Sequence, residues 1–73
     1  MVRRKTEYLT DIQERILRVI RLAITDQGDA PTVAEISAAV GLRPSSVHYQ
    51  LRELETKGAI VREPHRHRGI RLA

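Results

Sequence analysis

Gly41-Leu42-Arg43-Pro44-Ser45-Ser46-Val47-His48-Tyr49-Gln50-Leu51-Arg52-Glu53-Leu54 reads as a tight turn followed by a helix with two unlike faces. Val47, Leu51 and Leu54 recur at i, i+4 and i+7, which makes one buried stripe. At about 100° per residue, Ser45, Tyr49 and Arg52 point the opposite way, with His48 and Glu53 at the flanks. A helix that buries aliphatics and presents Ser, Tyr, His and Arg outward has the size and chemistry to enter the major groove of DNA.

The residues before it supply the first half of a helix-turn-helix. Thr32-Val33-Ala34-Glu35 is a capping box, in which the Thr hydroxyl and the Glu carboxylate each accept an otherwise unpaired amide. It starts a helix of about two turns, with Val33, Ile36 and Val40 inward. Gly41 ends that helix because a sharp turn between packed helices requires positive φ. Leu42 plugs the turn, Ser37 fills the small-residue position four before the glycine, and Pro44 takes the first position of the next helix, where its missing amide costs nothing.

Further upstream, Thr10-Asp11-Ile12-Gln13 is another capping box. Ile12, Ile16, Val19, Ile20, Ala23 and Ile24 then recur at helical spacing, and Gly28 closes the helix. Arg15, Arg18 and Arg21 lie off the stripe, on a face read as solvated scaffold. Residues 1–8 are read as a flexible basic arm, and residues 9–73 as one domain.

Downstream, the third helix is expected to run over 44–57 and stop at Gly58. Residues 59–63 and 69–72 have β character, separated by Pro64-His65-Arg66-His67-Arg68. This predicts a hairpin with a basic tip, whose Ile60 or Val61, with Ile70 and Leu72, covers the open side of the helical core. Three helices and a two-stranded hairpin make an α+β, mainly α fold, the winged helix-turn-helix.

Composition narrows the function. A chain of 73 residues buries a modest core. It has no cysteine for disulfides or thiolate metal sites, and no Phe or Trp. No apolar run approaches the ~20 residues of a membrane span, so a cytoplasmic, nucleoid-associated protein with no membrane contact is expected. The net charge of +4 is unevenly placed: residues 3–5 carry +3, residues 62–73 another +3, and the body between is slightly acidic. Basic ends on such a body suggest a polyanion gripped at particular places.

Catalysis has little support. The serines lack a His–Asp partner set, and Glu35 is accounted for by capping. His65 and His67 alternate, and on a strand their rings would share a side, but two ligands do not make a zinc site. No enzyme, metal or cofactor is therefore expected. Double-stranded DNA explains more of the features together. The expected contacts are Arg43, Ser45, Ser46, His48, Tyr49 and Arg52 from the helix and His65, Arg66, His67 and Arg68 from the wing. For Tyr49 a half-buried ring packed on the wing is the competing reading. A winged helix used for protein contact is the competing function, which the wing's arginines count against.

From Leu9 to Leu72 the sequence resembles the N-terminal DNA-binding domain of the LexA family, repressors of the bacterial SOS response. The resemblance rests on Leu9-Thr10-Asp11-Ile12-Gln13, Ala30-Pro31-Thr32-Val33-Ala34-Glu35-Ile36, Val40-Gly41-Leu42, Leu51-Arg52-Glu53-Leu54-Glu55-Thr56-Lys57-Gly58-Ala59-Ile60 and Arg68-Gly69-Ile70-Arg71-Leu72. It implies a dimer on a palindromic operator, repression by blocking transcription, and base reading by the third helix.

Two departures stand out. The interval from Gly41 to Leu51 is one residue shorter than usual in that family. Ser45, Ser46, His48 and Tyr49 fall roughly at its base-reading positions, without the Asn or Glu of its best-known members, so the base code is expected to be this chain's own. The family's self-cleaving protease half, with its Ser–Lys dyad, is not among these residues. The basic arm and short turn favour a stand-alone regulator over the DNA-binding fragment of a longer repressor.

Overall fold

A computed structural model describes residues 8–73. The basic arm read over residues 1–8 falls outside them, apart from Tyr8. The elements in order are α1 (Asp11–Gln27), α2 (Val33–Val40), α3 (Pro44–Thr56), β1 (Ile60–Arg62) and β2 (Ile70–Leu72). The strands pair antiparallel, with Ile60 opposite Leu72 and Arg62 opposite Ile70. The architecture is a winged helix-turn-helix.

Both capping boxes form. Thr10 Oγ1 accepts from the Gln13 amide at 3.2 Å, and Gln13 Oε1 accepts from the Thr10 amide at 3.1 Å. The Thr32 and Glu35 pair repeats the pattern at 3.2 and 2.9 Å. Gly41 adopts φ 75°, and its amide donates to the Ser37 carbonyl. The Ser37 hydroxyl then donates to the Leu42 carbonyl, which locks the turn into α3. A larger residue at position 37 would lose that bond and crowd the turn.

The third helix ends one residue earlier than its spacing suggested. Gly58, at φ 80°, donates to the Glu55 carbonyl at 3.0 Å, and Ala59 donates to Leu54 at 2.9 Å. This crossed pair is a Schellman ending, which makes Lys57 the C-cap and turns the chain into β1.

The core is aliphatic. Ile16, Ile20, Ile36, Val47, Leu51 and Leu54 are fully buried, and Ile60 and Ile70 close it from the wing side. Three expectations change. Leu17 is buried although it stood off the predicted stripe, because α1 is covered on a broad face by α2, α3 and β2. Ile12, Val19, Ala23 and Ile24 are only partly covered. Of the alternatives Ile60 and Val61 it is Ile60 that covers the core, while Leu72, expected to cover it too, is 39% exposed at the end of the sheet beside Leu17 and Arg21. Among the described residues no helix is long and apolar enough to cross a membrane.

Candidate nucleic-acid interface

Burying Val47, Leu51 and Leu54 forces the polar side of α3 outward. Arg43, Ser45, His48, Tyr49 and Arg52 are exposed, and Ser46 is half-buried. Tyr49 keeps 56% of its surface exposed. Arg43 is the N-cap residue of α3 and makes no side-chain cap bond, which leaves its guanidinium outside the helix's own hydrogen bonding.

The angle of α3 is fixed from its opposite side. Gln13 is buried at the start of α1, and its Nε2 donates to Gln50 Oε1 at 2.9 Å. Lys57 Nζ donates to Gln13 Oε1 at 2.7 Å and to the Tyr8 carbonyl at 2.8 Å. One amide thus completes the α1 cap and holds α3 at its middle and at its C-terminal end. Arg15 adds a longer bond to the Val40 carbonyl at 3.4 Å, at the end of α2.

The wing leaves α3 through Gly58. Its tip is a turn: the Arg66 amide donates to the Glu63 carbonyl at 3.1 Å, with Pro64 at the second position, where its fixed φ suits a turn. The Glu63 amide donates to the Gly69 carbonyl at 2.7 Å and closes the loop. His65 and His67 are therefore on a turn, which removes the alternation that suggested a shared ion. Among the described residues no group of three or more His, Cys, Asp or Glu is placed to hold a metal.

A groove of about 420 Å³ runs between α3 and the wing. His48 from the helix and Arg66 and His67 from the wing line it together, over a floor that includes Pro31, Val33 and Ile70. Arg66 is 72% exposed, and among the described residues its side chain pairs only with Glu63 three residues away, at 3.5 Å. Glu63 also pairs with Arg71 at 3.4 Å, and Arg62 pairs with Glu55 at 3.3 Å, joining the wing's root to α3.

Arg68 departs from its expected place on the basic tip. It turns inward, where Nη1 donates to Glu35 Oε1 at 2.8 Å and to the Ala30 carbonyl at 3.0 Å, and Nη2 donates to Glu35 Oε2 at 3.0 Å. Three of its five N–H donors are engaged by Glu35 and Ala30 at a partly exposed site, where a planar fork meets a carboxylate of matching geometry. The same bonds, with the Thr32 amide, hold the Glu35 carboxyl down at about 2.

The sequence alone gave Glu35 a capping role and gave Gln13 no role beyond its own helix. Their partners lie 33 and 37 residues away, beyond the reach of any local pattern.

Residues 6–69 match the family model of the LexA DNA binding domain. The chain is 47% identical over 70 residues to the LexA repressor of Magnetococcus marinus, covering 96% of this chain and 30% of that protein. It is 48% identical over 65 residues to the LexA repressor of Mycobacterium leprae, covering 88% and 28%. With the LexA repressor of Corynebacterium efficiens the identity is 49% over 63 residues, covering 85% and 27%. The chain thus spans under a third of the length of the curated relatives it matches.

Proposed function

The chain belongs to the LexA DNA-binding domain family, and from that premise we propose that it binds double-stranded DNA sequence-specifically as a transcriptional repressor. Helix α3 would lie in the major groove. Arg43, Ser45, Ser46, His48, Tyr49 and Arg52 would divide between base edges and phosphates, as Arg and Ser chemistry allows. The wing would follow the backbone or the adjacent minor groove, with Arg66, His65 and His67 as its contacts. The observation that carries this reading is the polar face of α3, exposed along its length and joined across one groove to the exposed Arg66.

A single module of this kind offers an interface of only about 600–1,000 Å². Specific binding therefore calls for two copies, and two copies related by a two-fold axis read a palindrome. The base code is this chain's own, because Ser45, Ser46, His48 and Tyr49 define a donor set without Asn or Glu. The domain is proposed to act by occupancy alone.

Selection from random duplexes, followed by sequencing, tests this. Enrichment of a palindrome, with affinity that falls steeply as salt is added, is the expected result. Failure to enrich any duplex would favour a protein-contact role for the same surface.

A further inference from the structure

The wing is a small device with little to hold it. Each strand has three residues, and a two-stranded hairpin is marginal in water. Only Ile60 and Ile70 are buried in the core. The Arg62–Glu55 pair holds the root to α3. At the far end, the described side-chain bonds to another element come from Arg68, to Glu35 on α2 and to Ala30 before it. Arg68 therefore bridges the wing tip to the same helix whose Gly41 turn sets α3.

We propose that the Arg68–Glu35 pair is a clamp that sets the wing's position relative to α3, so that Arg68 is a positioning residue for DNA binding and not a phosphate ligand. This rests on the DNA-binding reading above for its consequence, but not for the clamp itself. The geometry is bidentate, and Glu35 Oε1 is simultaneously bonded to the Thr32 amide, which fixes the carboxylate at the helix start. Adjacent Gly69 makes the return possible: a Cβ there would collide with the Glu63 carbonyl and stand 3.0 Å from the Arg66 carbonyl. With the tip held this way, Arg66 and His67 stay on the groove opposite His48.

The two roles for Arg68 predict opposite signs for one substitution. Glu35→Gln keeps a side-chain acceptor for the Thr32 amide and removes the carboxylate. A phosphate-binding Arg68 would be freed by it, and loss of a negative charge near DNA would tighten binding. A clamp would be loosened, and binding would weaken by about threefold, the scale of an exposed pair.

The experiment uses the whole chain, Glu35→Gln and Arg68→Gln, with two readouts. The first is the heteronuclear NOE of amides 65–70, which reports wing order without DNA. It should fall in both variants while α1 keeps its native values. The second is affinity for a labelled duplex enriched by the native chain, measured across salt. Weaker binding by Glu35→Gln, and by Arg68→Gln with an unchanged salt slope, supports the clamp. Native NOE values in both variants, tighter binding by Glu35→Gln, or a salt slope reduced by about 0.9 in Arg68→Gln, the value of one lost phosphate contact, overturns it. If the native chain binds no duplex, the DNA reading falls, and the NOE values alone decide the clamp.

Discussion

Gln13 Nε2 donates to Gln50 Oε1 across the α1–α3 interface, at 2.9 Å. Gln13 is buried, and its oxygen also serves the Thr10 amide and Lys57. The polar face of α3 therefore has a polar anchor behind it, beside the aliphatic stripe whose burial sets which side of the helix faces out.

Gln13→Ala removes that anchor from the half-buried Gln50 and leaves Lys57 with the Tyr8 carbonyl. A partly buried hydrogen bond contributes about 0.5–1.5 kcal/mol net. Urea unfolding should show a loss in that range with an unchanged slope. A loss below about 0.5 kcal/mol, the usual bound for an unimportant surface change, would mean that aliphatic packing alone holds α3.

Glu35 gives a pH signature. Its carboxyl lies at about 2 in the folded chain against an ordinary 4.5, first because Arg68 donates to it and then because the Thr32 amide does. A lowered folded value means that the stabilisation is complete above 4.5 and is lost as pH falls from there through about 2. The stability gap between the native chain and Glu35→Gln should stay constant from neutral pH down to that window and close within it. A gap that closes near neutral pH would contradict the assignment.

Two glycines should fail differently. Gly41→Ala meets open space but holds φ 75°, so its cost is conformational, about 1–2 kcal/mol. Gly69→Ala meets backbone, and should shift the amide resonances of residues 63–69 while those of α1 stay in place. Equal perturbation of the helical core by both would argue against this wing geometry.

Leu51 and Tyr49 stand two residues apart on α3 with opposite burial. Leu51→Ala should cost about 2–5 kcal/mol, and each kcal/mol lowers the melting temperature of a domain this size by about 4–8 °C. Tyr49→Ala should move it by less than one such step. Similar losses from both would place the core on the wrong side of the helix.

The three helices were legible because their information is local. Thr10 with Gln13, and Thr32 with Glu35, sit three residues apart, and Val47, Leu51 and Leu54 keep helical spacing. Gly41 and Gly58 mark their ends by a conformation that few other residues adopt. The exposed face of α3 followed from its buried one. Long-range pairing was not legible. Arg68 and Arg66 are indistinguishable as residues in a basic loop, and only the folded chain brings one of them to Glu35. Leu17 was missed for a related reason: the breadth of the face covered on α1 depends on how α2, α3 and β2 surround it.

The central claim is that α3 and the wing, and not the arginines of α1, meet DNA. The most direct test compares Arg52→Ala, Arg66→Ala and Arg18→Ala on a duplex enriched by the native chain, at one fixed salt concentration. Loss of affinity in the first two, with Arg18→Ala close to native, is the predicted result. Equal losses in all three, or a loss confined to Arg18→Ala, would contradict it.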